Sequence, residues 1–514
     1  MKKFNSAISC HSSNISFLLF LIICLTTPLF AQEPSETPPP PSAPPQVNVP
    51  EVREMTLPNG LKVVAVTRQN VPLVTVSLLI RRGAEQENQT EAGLANTTAN
   101  LLLKGTEFRT ATDIAQQIEF LGGSLNSGAD WDSSTVNLNI MSDKLGRALS
   151  IMSDSVIRPT FPAKELALLK KQTIDGLNVS LKQPGSLLGY VADRFAYGQH
   201  SSNGTPQTIV RINKNDVLDF YNKNYTPENA VLIFTGDISA TQAFNFAKLF
   251  FSSWEKYKPN NSIINLEFLG GLQSPPRKNS EIINRMLVID LPDSGQAAVG
   301  YATKLKTGRI VCGEKSGNEI NCSSSKIYYP ASVLNSILGG GYSARLNQEI
   351  RLKRGLSYGA RSNFDWRGFN SNFIASTQTK NESAAQVAEL IKIEIQKLAD
   401  DSIVEDELIP RKAVVTGGFG RGLQTNNGLA ARLRDIYLYG LNPDELNSYM
   451  TNVNDVTDSQ IKDFASDNLK GGDMIIVGDA KLFMDDLKKR FPNQKIEIIK
   501  ADNLDLNKDT LRKR

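Results

Sequence analysis

The side chains best suited to chemistry are scarce in this sequence. Histidine occurs twice, at His11 and His200. A helical zinc pair needs two metal-binding side chains one turn apart. No H-x-x-E-H or H-x-x-H pair exists anywhere in the chain. His200 lies in a polar stretch between Gln199 and Ser201 and is expected to be a solvated loop residue. The nucleophile elbow G-x-S-x-G is absent, and a Ser-His-Asp triad would have to use His200, beside which nothing supports one. Gly339-Gly340-Gly341 resembles a phosphate cradle but lacks the lysine and Ser/Thr spacing of a P-loop, so a tight turn between helices is expected. Cys312 and Cys322 stand in a Gly/Ser/Asn-rich loop and are predicted to pair, stapling a surface insertion.

The elements that must position such residues form a long chain. At 514 residues it exceeds one ordinary core, which implies several domains. Hydrophobic residues make up 40% and charged residues 21%, a soluble globular balance. The net charge of +4 is spread along the chain without a basic run interleaved with aromatics, which excludes a nucleic-acid partner. Lys2 and Lys3, the apolar run Phe17 to Phe30 and the small Ala31 read as a signal peptide over 1–31, holding Cys10 and Cys24. The run is too short for a membrane span, so none is expected after cleavage. A lipoprotein alternative would use Leu21-Ile22-Ile23-Cys24. Export to the periplasm is the expected destination. Several Asn-x-Ser/Thr sequons leave a eukaryotic secretory route open. Residues 32–51 are Pro-rich and read as an extended spacer.

Two folded segments follow, over 52–257 and 281–500, separated by a Lys/Asn/Ser/Pro/Gly-rich linker over 258–280 and followed by a charged tail over 501–514. Leu57-Pro58-Asn59-Gly60-Leu61 carries a tight-turn signal. Valine-rich runs at Lys62–Thr67 and Leu73–Ile80 suit strands. Ala111–Leu121 is an amphipathic helix with Ile114, Ile118 and Leu121 on one stripe. Asn178–Gly204 reads as a polar, loop-like stretch. Val231-Leu-Ile-Phe-Thr-Gly-Asp237 and Met474-Ile-Ile-Val-Gly-Asp479 repeat one strand–turn–helix device near the end of each half, which points to an internal duplication. The fold class is therefore α+β, with two homologous domains, each a mostly antiparallel sheet covered by helices on one side.

Several motifs together resemble the pitrilysin/insulinase metallopeptidases, the inverzincins, over about Met55 to Asp479. The first half contributes Leu57-Pro58-Asn59-Gly60-Leu61, Arg82-Gly83-Ala84, Gly93-Leu94-Ala95 with Lys104-Gly105-Thr106, and Leu121-Gly122-Gly123 followed by Asn126. The second contributes Leu334-Asn335-x-Ile337-Leu338-Gly339-Gly340-Gly341-x-Ser343-x-Arg345-Leu346, running into Glu349-Ile350-Arg351-x-x-Arg354-Gly355-Leu356-Ser357-Tyr358. The family's zinc helix reads G-L-A-H-x-x-E-H-x-x-x-K-G-T. Here Asn96 and Asn100 stand at the histidine positions and Ala99 at the general base. The family's third ligand, a glutamate on a later helix, falls on Gly176, with Leu177 the neighbouring alternative. Neutral amides are poor zinc ligands, and neither Gly176 nor Leu177 can bind metal.

The resemblance implies more than a loss. Family members that cleave peptides use an arginine and a tyrosine, spaced i, i+7, over the scissile carbonyl; that spacing selects Arg351 and Tyr358. The family binds substrate by strand addition, which assigns peptide binding to an edge that includes Asn126. Loss of the zinc residues with retention of the Arg/Tyr pair is similar to the inactive subunits of bacterial heterodimeric members and of the mitochondrial processing peptidase. The implied protein is inactive alone, carries no cofactor, and pairs with a zinc-bearing homologous subunit to cleave unfolded segments. The alternative is a structural or peptide-binding scaffold of the same fold, as in core subunits of the respiratory cytochrome bc complex.

Overall fold

The computed structural model describes residues 49–256, 284–312 and 322–513. The signal segment, most of the Pro-rich spacer and the 258–280 linker lie outside the described residues, as does the loop between the two cysteines.

In the first half, β1 (Arg53–Thr56), β2 (Lys62–Thr67), β3 (Leu73–Ile80), β4 (Ser124–Ala129), β5 (Ser134–Met141) and β6 (Ala230–Gly236) form one sheet in the order β1-β2-β6-β3-β5-β4. The Asn59-Gly60 turn joins β1 to β2 with Gly60 at φ +92°, a left-handed conformation that favours glycine. The Asn59 amide donates to Phe251 O at 2.8 Å and Trp254 O at 3.0 Å, tying the turn to the body.

In the second half, β7 (Met286–Asp290), β8 (Ala297–Lys304), β11 (Ala360–Asp365), β12 (Asn372–Thr379), β13 (Asp473–Gly478) and β14 (Ile496–Lys500) form a sheet in the order β11-β12-β8-β13-β7-β14. Reversed, this is the first order, with β13 where β6 stands, so the two Gly-Asp strand ends occupy equivalent positions. The sixth strand differs. β1 precedes its neighbour as an antiparallel hairpin, whereas β14 returns from the C-terminal region and pairs parallel. The sheets are mixed: the β2–β6, β13–β7 and β14–β7 pairings are parallel, because long helical excursions separate those strands. A separate hairpin of β9 (Ile310–Cys312) and β10 (Cys322–Ser324) sets Cys312 opposite Cys322. Directly opposed residues lie about 4.5–5.5 Å apart at Cα, inside the span of a disulfide.

The first-half helices are α1 (Leu94–Leu101), α2 (Ala111–Phe120), α3 (Leu145–Ile157), α4 (Ala163–Ser180), α5 (Pro184–Phe195), α6 (Pro206–Arg211), α7 (Lys214–Asn224) and α8 (Ala240–Phe251). The second half has α9 (Tyr328–Leu338), α10 (Ala384–Asp400), α11 (Glu405–Leu423), α12 (Asn426–Leu438), α13 (Glu445–Asn454), α14 (Asp458–Asn468) and α15 (Met484–Arg490). Each half lends one helix to the other's sheet. α5 packs on β8 and β13, and α12 packs on β3 and β6. Side chains alternate accordingly along β2. Val63 and Ala65 join the first half's own core, while Val64 and Val66 join the core containing Leu429 and Leu433 of α12. The expected one-sided cover is therefore corrected: these strands are buried on both faces, which is why they read as continuous apolar runs.

The loop-like reading of Asn178–Gly204 is also corrected. Pro184 opens a helix whose Leu187, Leu188, Val191, Ala192 and Phe195 are buried against the second sheet. Gly300 of β8 admits it closely, since a Cβ there would lie 2.8 Å from Leu188 Cδ2. The charged segment expected as a tail is folded as well. Leu511 is buried, Asp509 ion-pairs with Arg194 of α5, and Thr205 Oγ1 donates to Asn507 Oδ1 at 3.0 Å.

A cluster of carboxylates marks the seam between the halves. Arg367 ion-pairs with Asp365 at 2.6 Å, stacks 4.3 Å from the Trp131 ring and donates to Gln199 at 2.5 Å. Asp132 accepts from Gly368 N at 3.0 Å and Tyr439 Oη at 3.1 Å. Asp193 of α5 bonds Ser201 and faces the same guanidinium and Asp365. Burial pushes Asp193 up to about 7 and Asp132 up to about 6, with Arg367 opposing both shifts. The folded protein thus holds protons that the unfolded chain releases near pH 4, so stability falls as pH rises from about 4 towards 7. Thermal melts should show Tm dropping between about pH 4 and 7, with a smaller drop in Asp193→Asn; parallel pH profiles would contradict this. Leu188→Ala should destabilise by about 2–5 kcal/mol in denaturant unfolding, as expected for a buried leucine.

Candidate functional site

α1 carries Asn96, Ala99 and Asn100, the residues that the resemblance sets at the zinc and base positions. Gly93, at φ +94°, precedes the helix. A Cβ there would lie 2.6 Å from Ile209 Cδ1, the mobile end of that side chain, so it is the positive φ that favours glycine. The Glu87 carboxylate caps the helix, accepting from Gly93 N at 2.9 Å and Ala95 N at 2.5 Å. Burial raises its carboxyl to about 8, against the pull of those two backbone bonds. His200 packs here instead of facing solvent, which corrects the sequence expectation. Its Nδ1 is 3.7 Å from Glu87 Oε2, its ring lies 4.9 Å from that of Trp131, and burial holds its pKa below the ordinary value.

Asn96 and Asn100 share one helix face. Asn100 Nδ2 donates to Asn96 O and Asn96 Oδ1, both at 2.8 Å, while Asn96 Nδ2 donates to Asn203 Oδ1 at 3.3 Å. The Asn96 oxygen is thus engaged by its neighbour's amide. Ala99 is buried. Gly176 lies exposed on α4, which packs on α1, and a Cβ there would meet nothing within 4 Å. Two neutral amides, a methyl and a hydrogen do not fit the donor set of a zinc ion. Leu177 is buried and equally inert.

Beside α1 runs β4, an edge strand paired only with β5. Among the described residues no further hydrogen bond reaches its outer side. Asn126 is exposed on it. A cavity of about 410 Å³ lies between β4, α1 and α2 and brings Asn126 and Asn100 together over Leu103, Ile114 and Ile118. The equivalent edge of the second sheet is covered. On β11, Ala360 N donates to Asn347 Oδ1 at 2.9 Å and Ser362 N to Gly339 O at 3.3 Å. An open edge can accept an added strand and a covered one cannot.

Arg351 and Tyr358 are brought together. Asn347–Leu352 is a π-helical turn, the wider winding that recurs at functional sites. Gly355, at φ +62°, reverses the chain, and its N–H donates to Arg351 O at 2.9 Å. Tyr358 returns with its ring 4.9 Å from Arg351 Cζ and is 90% exposed. Tyr342 flanks the same guanidinium at 4.9 Å, a neighbour that motif spacing alone did not reveal. No hydrogen bond or ring contact among the described residues joins this pair to Asn96 or Asn126.

Two family models match the chain. Residues 62–193 match "Insulinase (Peptidase family M16)" and residues 211–412 match "Peptidase M16 inactive domain". The chain belongs to the M16 peptidase family. An uncharacterized zinc protease of Mycobacterium leprae is 26% identical over 383 residues, 74% of this chain and 80% of the relative. One from Bacillus subtilis is 23% identical over 385 residues, 74% and 87% of the two chains. The solved M16 inactive domain from Pseudomonas fluorescens superposes with a TM-score of 0.72 at 25% identity, covering 83% of this chain and 98% of that one. A Helicobacter pylori protease, at 19% identity, shares the fold with a TM-score of 0.74 over 84% of this chain and 100% of its own.

The M16 frame around α1 suggests that ligand chemistry can be restored. The variant Asn96→His/Asn100→His/Gly176→Glu should hold about one zinc per chain by elemental analysis, as three such donors are enough for a catalytic-type site, with the natural chain holding none. Equal metal content in both would show that α4 does not present Gly176 to α1.

Proposed function

We propose that this M16 chain is an exported, non-catalytic subunit that pairs with a zinc-bearing homologue, and that Arg351 and Tyr358 act on the partner's substrate. One observation carries the reading. The zinc and base positions hold Asn96, Asn100, Ala99 and Gly176, yet Arg351 and Tyr358 are brought together, with the half-buried Arg351 guanidinium 4.9 Å from the exposed Tyr358 ring. A phenol and a guanidinium side by side can donate to the negative oxygen that develops as a peptide carbonyl is attacked. The nucleophile and metal must then come from another chain. The open edge of β4 supports an extended peptide segment as the ligand, with Asn126 and the adjoining cavity receiving side chains. The relatives' description as zinc proteases agrees with proteolysis as the reaction served. Cys312 and Cys322, opposed in register, are assigned to a disulfide, which agrees with an oxidising exported compartment.

A native pull-down of the tagged chain should recover an H-x-x-E-H homologue in stoichiometric amount. The recovered pair should cleave unfolded peptides, and the single chain should not. Arg351→Ala should lower kcat of the pair by roughly 10²–10³-fold, as loss of an oxyanion donor does elsewhere, and Tyr358→Phe should act in the same direction. Assembly should survive both substitutions. Full turnover in both variants, or a partner that is not a peptidase, would turn the reading towards a scaffold.

A further inference from the structure

We propose that Tyr342 is a positioning residue for Arg351, completing an aromatic clamp that holds the guanidinium in place and unneutralised; this rests on the subunit reading above. The triple glycine, which no phosphate site explains, delivers it. Gly339 approaches β11 so closely that a Cβ would lie 2.2 Å from Ser362 N, and one on Gly340 would lie 2.8 Å from Asn335 O. The chain can take this path only without side chains there, and it emerges at Tyr342.

Tyr342 gains little from burial, being 62% exposed. Its ring instead stands 4.9 Å from Arg351 Cζ, with Tyr358 at the same distance. Glu349, two residues before Arg351, is engaged elsewhere, pairing with Lys353 at 2.5 Å and Arg354 at 2.6 Å. Among the described residues Arg351 has no carboxylate partner. An aromatic face attracts and orients a guanidinium without cancelling its charge or occupying its N–H donors. A side chain as long as arginine loses much rotamer freedom when it binds. Two rings remove part of that freedom beforehand and leave the donors for a carbonyl oxygen that becomes negative.

The test uses the full chain and its purified pair. Phenylglyoxal modification of Arg351, followed by peptide mass spectrometry on the single chain, should be about two- to fivefold faster in Tyr342→Ala, the equivalent of one exposed cation–π contact. Tyr342→Phe keeps the ring and should match the natural rate. In the pair, Tyr342→Ala should lower kcat by about the same factor with KM unchanged, and Tyr342→Phe should restore it. An unchanged modification rate in Tyr342→Ala overturns the clamp whatever the partner proves to be. If Arg351→Ala slows the pair while Tyr342→Ala does not, the positioning role alone fails. If Arg351→Ala is silent, the subunit reading fails, and the modification rates still decide whether the clamp exists.

Discussion

The reciprocal loan of two helices is the constraint on which the rest of this structure depends. α5 leaves the first half to cover β8 and β13, and α12 leaves the second to cover β3 and β6. Neither sheet can bury its second face without the other half. The exchange is also polar. Arg434 on α12 donates to Asn137 Oδ1 at 2.7 Å and Ser77 Oγ at 3.1 Å, while Thr75 donates to Asn139 at 2.7 Å and Asn427 at 3.1 Å. On the other side Arg285 donates to Phe195 O at 2.5 Å and Tyr197 to Phe373 O at 3.0 Å. Buried donors with fixed partners set the register of each lent helix as well as its depth. The C-terminal segment adds a third tie, from Asp509 to Arg194 and from Asn507 to Thr205.

The segment around α1 is held by contacts of its own. α1 is held by its cap, by the fit of Gly93 against Ile209 and by packing on α4, α7 and β4. Neither the cap nor the Gly93 fit uses residues 96 or 100, whose half-buried side chains bond to one another. Ala99 faces inward, but as a small apolar residue it adds no polar group to bury. Arg351 and Tyr358 owe their meeting to other devices, the π-helical turn and the left-handed Gly355.

The two halves use one topology for different ends. Their edge strands β4 and β11 occupy equivalent places, yet Asn347 and Gly339 cover β11 while β4 stays open beside α1. An uncovered edge is a liability for aggregation and an opportunity for binding. Here it lies on the half that carries the α1 frame. The same triple glycine that covers β11 also brings out Tyr342, so one backbone approach serves both.

Much of this was legible in the sequence, for definable reasons. The Asn-Gly turn, the valine-rich strands, the amphipathic α2 and the paired Gly-Asp strand ends depend on local rules of turn, pleat and helical period. The replaced zinc positions and the seven-residue Arg351–Tyr358 spacing are likewise visible in order along the chain. What lay hidden depends on partners distant in sequence. α5 has a short apolar face flanked by Gln183, Gly185 and Ser186, so its helix is legible only once the second sheet makes that face a core. His200 lacks local partners because Trp131 and Glu87, which enclose it, come from other segments. The family motifs and the duplicated strand device are matters of residue type and short-range spacing, so they can be read along the chain. The helix exchange, the open and closed sheet edges and the two tyrosines around Arg351 arise from packing, since burial and contact between residues far apart in the chain are decided when the two halves pack together.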